Sequence, residues 1–435
     1  MARMLESEEA ARRLGVKVTT LYAYVSRGLL VSHPAPTGRR SLFEMDEVER
    51  LARRSRQGKA VETRMATITT GITQLTDEGP VYRGRLATDL ATRSTFEEVA
   101  VWLWDADPER RAADRGATVW PTTSPEAEVG AWLPVSMGPP PAIGRSGRIR
   151  WAVVMAGALD PLRADLRPEA VVRTARRVVA SMVARVAAPE PAATQAGWGR
   201  PDSEGGPIAT DRPTTNVVLD GGRVVPDTVA ERLTAALVPA PTPELVRGVN
   251  ATLVLMADHE LATSTMAVRM AASTRADLYD ALLAGLGTIA GPLHGGASQL
   301  AYSLLVDAER VGVERALDDT LRWHGVLPGF GHSVYKNGDA RCTVLLDLFD
   351  RLAEPAQVEL VRSLIDLAGA HTIPLPNVDL AMAAIAWSTG MAADAGRTLF
   401  TVARVAGWVA HYLEELGERP LRYRARAVYA APGRG

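Results

Sequence analysis

Beyond Phe96 the chain reads as one helical segment after another, and this repetition restricts the fold more than any other feature. Apolar residues recur at helical spacing over 96–104, 171–186, 227–237, 243–256, 277–289, 298–311, 316–323, 341–352, 357–370, 380–388 and 396–416. Two Pro/Gly-rich stretches, near 121–147 and 187–215, read as long surface loops. Between 62 and 84, β-branched residues (Thr67-Ile68-Thr69-Thr70-Gly71-Ile72) and a turn signal (Asp77-Glu78-Gly79-Pro80) predict a small hairpin. No internal repeat of 20–50 residues is visible. At 435 residues and 47% hydrophobic content the chain can bury cores, and length alone suggests about three domains. A mainly α body follows, with functional residues expected at helix ends and in loops.

Charge and cysteine content narrow the class. The 49 Lys/Arg and 50 Asp/Glu leave a net charge of −1, which argues against a protein coated in nucleic acid along its length. The balance is uneven. Residues 1–59 carry a net +5, and 419–435 hold Arg419, Arg422, Arg424, Arg426 and Arg434 with no acid. Two basic ends on an acidic body suggest two anion-binding jobs, or else solvated faces. A single cysteine, Cys342, excludes an intrachain disulfide framework and a Cys-rich zinc module, and fits a reducing cytosol. No apolar run approaches roughly 18 residues, and no apolar core of a signal peptide follows Met1. A cytoplasmic protein without membrane attachment is expected.

The first 59 residues have their own pattern. Ser7 and the following Glu8-Glu9-Ala10-Ala11-Arg12-Arg13-Leu14-Gly15 read as a capped helix ending at glycine. Thr19-Thr20 caps a second helix over 21–27, closed by Gly28. Two short helices joined by a tight turn form a helix-turn-helix pattern. The segment 33–40 reads as a wing tipped by Arg39 and Arg40, before a third helix over 44–54 and a polar linker at 55–59.

Several common motifs fail. Gly285-Leu286-Gly287-Thr288-Ile289-Ala290 fits G-x-G-x-x-A, but no strand precedes it and Pro292 follows. His259-Glu260 begins an H-E-x-x-H zinc motif that Thr263 ends. Neither a P-loop nor a G-x-S-x-G elbow is present. No metal-ligand set emerges.

Four segments place ionisable groups where a helical core should be apolar: Ala257-Asp258-His259-Glu260, Gly291-Pro292-Leu293-His294-Gly295-Gly296-Ala297, Gly329-Phe330-Gly331-His332 through Arg341, and Pro376-Asn377-Val378-Asp379. Each has a bland alternative: a satisfied core histidine, a glycine turn, or an aspartate N-cap. Arg404 interrupts the apolar segment 400–411 and needs a partner anion. Together the groups suit one chemistry. Arginine forks bind a small dicarboxylate. A carboxylate base removes a proton α to a carbonyl, a neutral histidine stabilises the enolate, and a second histidine polarises an acceptor ketone.

The order and spacing of these segments resemble the citrate synthases. The likeness runs from about Ala66 to Pro432 and includes Gly71-Ile72, Tyr82-Arg83-Gly84, Ser94 to Ala100 and Ser264-Thr265. It implies a large helical domain over 60–295 and 391–435, with a small helical domain over 296–390. It also implies Asp379 as the base toward the acetyl-CoA methyl, His294 as the enolate stabiliser and His332 as the donor to the oxaloacetate carbonyl. His259, Arg341 and Arg404 resemble the carboxylate ligands. Arg424 resembles an arginine that reaches the neighbouring subunit's site, which implies a homodimer. The backbone of the loop containing Val326, Leu327, Gly329, Phe330 and Gly331 would hold the CoA adenine. Coenzyme A enters as a thioester substrate, and no tightly bound cofactor is implied. The chain departs from the family pattern at Ser333, Ala340, Val405 and Ala425. Ala340 bears on how Arg341 approaches substrate, and 2-methylcitrate synthases, which take propionyl-CoA, share the framework.

The first domain resembles MerR-type winged helix-turn-helix modules. That likeness puts Thr19, Thr20, Tyr22 and Arg27 toward DNA, with Arg39 and Arg40 on phosphate. A dimerisation or regulatory cap is the alternative for the domain. A DNA-binding metabolite sensor with a synthase-like body is the alternative for the whole chain.

Overall fold

The chain divides between Thr69 and Thr70 into two compact units. A computed structural model describes residues 4–14, 30–34, 41–49, 68–105, 143–186, 228–291 and 294–424, with positions 16, 18, 21, 24, 25, 51 and 120.

In the first unit β1 (Met4–Glu6), β2 (His33–Pro34) and β3 (Ser41–Glu44) form an antiparallel sheet of order β1-β3-β2. Helix α1 (Ser7–Leu14) has Glu8 and Glu9 in its first turn and Arg12 and Arg13 in its last, as the helix dipole favours. Leu5, Ala10, Ala11, Leu21, Leu30, Phe43 and Val48 make the core. Strand β2 opens the 33–40 segment read as a wing, and β3, which pairs with it, follows that segment. The third helix starts at Met45, not at residue 44, because Glu44 pairs with Met4 in the sheet. Thr19, Thr20, Tyr22, Arg27, Arg39 and Arg40 lie outside the described residues.

The second unit opens with a meander of β4 (Thr73–Thr76), β5 (Gly79–Tyr82) and β6 (Arg85–Leu86). The first strand therefore begins later than the 67–72 stretch suggested. Gly71 is drawn away from the sheet, its amide donating to Glu414 Oε1 (2.9 Å). Helices follow: α2 (Ala87–Arg93), α3 (Phe96–Trp104), α4 (Arg145–Leu159), α5 (Pro168–Val186), α6 (Val229–Leu237) and α7 (Pro243–Met256). Next come α8 (Thr263–Ser273), α9 (Leu278–Ile289), α10 (Ala297–Val311), α11 (Val313–His324) and α12 (Ala340–Leu352). The last three are α13 (Pro355–Ala370), α14 (Val378–Ser388) and α15 (Ala395–Leu416).

Local chemistry sets most of these boundaries. Thr95 with Glu98 and Thr228 with Glu231 form capping boxes on α3 and α6. Thr242 caps α7, where Pro243 takes the first position. Helix α4 corrects the sequence reading, since the loop expected to run to 147 ends at Gly144, the N-cap of α4. Helix α8 was not anticipated. Its Thr263-Ser264-Thr265 start has weak helix propensity, but Ser264, Thr265, Val268, Arg269 and Ala272 are buried, and tertiary burial overrides weak propensity.

Helix α15 is buried on all sides, from Thr398 through Tyr412 without interruption, as expected of a helix at the centre of a large core. It packs against α3, α5, α7, α8, α9, α10 and α14. Its closest approach is at Gly407, whose amide donates to Ala257 O (3.0 Å). A Cβ there would lie 2.1 Å from Asp258 Oδ1 and 2.7 Å from Ala257 O. Alanine normally stabilises a helix interior relative to glycine. Gly407→Ala should do the opposite and cost about 2 kcal/mol, read as a lower urea midpoint; an unchanged or higher midpoint would contradict this packing.

Candidate active site

Helix α7 ends at Met256, and the polar triplet follows immediately. The Tyr82 hydroxyl, from β5, lies 3.1 Å from the carbonyls of Val254, Leu255 and Asp258, so it tethers this helix end. Glu260 takes a positive φ of 55°, and its amide donates to Asp258 Oδ2 (3.0 Å). His259 is presented by this turn, its Nε2 3.1 Å from the Tyr335 hydroxyl.

The His332 loop is stitched to the start of α14. Asn377 N donates to Gly329 O (2.9 Å), Asn377 Nδ2 to Gly331 O (2.7 Å) and Gly331 N to Leu375 O (2.8 Å). Gly329 has φ 83°, and a Cβ on it would meet Leu380 Cβ at 2.8 Å. Only glycine allows this loop to lie on the first turn of α14. Asn377 Oδ1 accepts from Asp379 N (2.9 Å), so Asn377 is the N-cap. The capping explanation of Asp379 therefore falls, and its carboxyl is left for other work. Burial pushes that carboxyl up to about 6, opposed in part by Arg341.

His332 has a defined tautomer. Its Nδ1 accepts from the amides of Val334 (3.0 Å) and Tyr335 (3.2 Å), which leaves the ring proton on Nε2. The ring stacks on Tyr335 at 4.7 Å and meets His259 edge-on at 5.4 Å. Nearby, Asp339 caps α12 and grips Arg341 with both oxygens, at 2.9 Å to Nε and 2.9 Å to Nη2. It also accepts from Val378 N (3.1 Å), tying α12 to α14. The approach of Arg341 is thus set by Asp339.

Arg341 Nη1 points at Met256 Sδ (3.9 Å), while Arg404 Nε donates to Met256 O (2.9 Å). Two guanidiniums 2% exposed therefore meet around one residue. Arg404 lies over the Phe400 ring, 4.6 Å from its centroid, and burial lowers it to about 10. The anion that the sequence asked of it is not supplied by a carboxylate bonded to it among the described residues. His294 approaches Phe400 edge-on at 5.9 Å, and its Nε2 is 2.8 Å from Ser264 Oγ. Burial, with Arg341 and Arg404 nearby, holds His259 well below its ordinary value. Burial likewise lowers His294 and His332. Neutral imidazoles facing buried arginines can donate hydrogen bonds to an anionic substrate without competing for its charge.

His259, His294, His332, Arg341, Arg404 and Asp379 are thus linked through shared contacts in one unit. Arg424 is not among them; it is exposed near the end of the described chain. In the 326–331 loop, Val326 is exposed and Leu327 buried. The amides of Phe330 and Gly331 are already spent on Leu327 O and Leu375 O. Beside it lies a cavity of about 160 Å³ lined by His332, Tyr335, Lys336, Leu375 and Pro376. Sequence reasoning left Ser264, Tyr335, Asp339 and Asn377 unassigned as site groups. Asp339 and Asn377 carried a signal, each standing at an N-cap position before an apolar segment; Ser264 and Tyr335 carried none of their own. Removing Asp339 strands a buried arginine. Asp339→Ala should lower unfolding stability by about 3 kcal/mol in urea titration, and a loss near zero would refute the clamp.

A family model described as "Citrate synthase, C-terminal domain" matches residues 60–426, and a helix-turn-helix domain model matches 4–56. Citrate synthase 2 of Bacillus subtilis is 28% identical over 84% of this chain and 93% of its own. 2-Methylcitrate synthase 2 of Corynebacterium glutamicum is 34% identical over 41% of this chain and 48% of its own. Among solved structures, the ternary complex of carboxymethyl coenzyme A and oxaloacetate with citrate synthase from Thermoplasma acidophilum superposes with a TM-score of 0.62. That match has 23% identity and covers 85% of this chain and 94% of the other. With a family match over residues 60–426 and a fold shared with solved citrate synthases, the chain belongs to the citrate synthase family.

Proposed function

We propose that the protein condenses acetyl-CoA with oxaloacetate and water to give citrate and CoA. The observation that carries this reading is the pair Arg341 and Arg404, buried together beside neutral histidines. Arginine forks suit the carboxylates of oxaloacetate, with His259 donating to the same ligand. Asp379 takes a proton from the thioester methyl, and His294 stabilises the enolate oxygen. The enolate carbon attacks the oxaloacetate ketone, and the Nε2 proton of His332 passes to the developing alkoxide. Water then cleaves the citryl thioester, releasing CoA.

The thioester enters beside the 326–331 loop, with adenine on its remaining backbone groups. Arg424 completes the site of a second copy, so the working unit is a homodimer. Closure of the 296–390 segment over the 60–295 and 391–435 segments excludes water, which a carboxylate base needs. We place the reaction in the cytoplasm; among the described residues no helix is long and apolar enough to cross a membrane.

Thiol release on mixing acetyl-CoA, oxaloacetate and enzyme tests the reaction. Asp379→Ala should cut kcat by about 10³-fold or more while oxaloacetate still binds; loss of both would return Asp379 to a structural role. Because the base works ionised, kcat/KM should be flat above about pH 6 and fall roughly tenfold per unit below it. A profile without that acid limb would remove Asp379 as base. Propionyl-CoA is the alternative donor, favoured by the likeness to a 2-methylcitrate synthase. A higher kcat/KM on propionyl-CoA would rename the substrate and keep the mechanism.

We infer a second role for the first unit from its helix-turn-helix match: docking on DNA through Thr19, Thr20, Tyr22 and Arg27, with Arg39 and Arg40 on phosphate. Arg39→Ala with Arg40→Ala should weaken binding to a DNA fragment in a mobility-shift titration and flatten its salt dependence. Salt-independent retention would deny the phosphate contacts. Tight operator binding with no turnover on any short acyl-CoA would make the protein a metabolite sensor.

A further inference from the structure

Among the described residues outside the candidate site, a heavily bonded charged group is Arg269, in the middle of α8 and 0% exposed. Its Nε donates to Glu415 Oε2 (3.0 Å) and to the Tyr423 hydroxyl (3.2 Å). Its Nη1 donates to Glu414 Oε2 (2.7 Å) and to His411 Nδ1 (2.8 Å). Glu415, itself 0% exposed, accepts from Arg422 Nε (2.7 Å), Arg422 Nη2 (2.6 Å) and the Tyr423 hydroxyl (2.6 Å). Two further bonds hold the segment between: Leu421 N to Ser273 O (2.9 Å) and Arg275 Nη2 to Glu418 O (2.8 Å).

Burying a guanidinium and a carboxylate is a poor route to stability, since apolar residues of similar volume often serve as well. What the ionic arrangement supplies is direction, because planar forks and short charge-assisted bonds fix the chain that carries them. Every residue from Leu421 to Tyr423 is tied down by these contacts, and the next residue is Arg424, exposed. At the other end of the same network, His411 Nε2 lies 3.4 Å from Asp258 Oδ2, one residue before His259. The network therefore runs from the floor of the chain's own candidate site to the root of Arg424.

We propose that Arg269 and Glu415 are positioning residues, a buried clamp that grips Arg422 and Tyr423 so that Arg424 is held ready for the carboxylates of the substrate bound in a second copy of this chain. The proposal rests on the reading that Arg424 completes the neighbouring site. An arm fixed before substrate arrives spares the cost of ordering a loose arginine on binding.

The test uses the full-length dimer and the variants Arg422→Ala, Tyr423→Phe and Arg424→Ala, with Arg269→Lys added if it folds. Arg422 and Tyr423 lie at the edge of the clamp, so their variants should melt close to the parent. Each should raise KM for oxaloacetate on the order of tenfold and leave KM for the thioester unchanged. In an Arg424→Ala background, Arg422→Ala should cost nothing more, because its effect passes through Arg424. An additive loss, or an equal loss against both substrates, would reduce the clamp to a structural element and overturn the proposal. Impairment of Arg424→Ala alone would also overturn it, while leaving the cross-subunit reading standing. Parental kinetics in Arg424→Ala would bring down both.

Discussion

A guanidinium removed from water must find an anion or pay heavily in solvation, and the second unit brings two of them to Met256. Arg341 comes with its own counterion, gripped by both oxygens of Asp339. Arg404 bonds to no carboxylate among the described residues; it reaches a backbone carbonyl and the face of Phe400, with Asp258 acting on it through space. Two buried cations, one paired with a carboxylate and the other held by a carbonyl and an aromatic face, thus share a low-dielectric pocket, an arrangement suited to binding a small anion. The packing of α7, α12 and α15 can be seen as the framework that holds these charges apart from water and near each other.

The acid–base groups follow from the same burial. Taking imidazole and carboxyl groups out of water favours their neutral forms, so the histidines move down while Asp379 moves up. Positive charge on the arginines pushes the histidines further in the same direction and pulls Asp379 partly back. The result is a carboxyl lifted toward its neutral form and imidazoles held uncharged. Hydrogen bonding refines this at His332, where two backbone amides occupy Nδ1 and so decide which nitrogen can give up a proton.

Helix ends do the positioning. Asn377 takes the capping duty at α14 and bonds to the Gly329–Gly331 backbone as well, so one side chain both frees Asp379 and holds the histidine loop against it. Asp339 performs the equivalent double task at α12, bonding its own helix start, Arg341 and the amide of Val378. Capping residues thus act as struts between elements far apart in the chain.

Much of this was legible beforehand. Helical spacing and capping signals located α3 and α7 to the residue and most other helices to within a few positions, because those signals are local. The histidines, the arginines and Asp379 stood out because ionisable groups are costly in apolar segments. Helix α8 escaped notice, since its polar start is tolerated only through burial against α9 and α15. Ser264 and Tyr335 were likewise hidden, and at Asn377 and Asp339 only the capping signal was visible, because their other bonds reach partners distant in the chain. The amino-acid order by itself determined which segments become helices and which charged groups they must bury. The tertiary structure alone decided which of those groups meet, because hydrogen-bond partners and the loss of solvent that shifts each proton equilibrium exist only once the helices have packed.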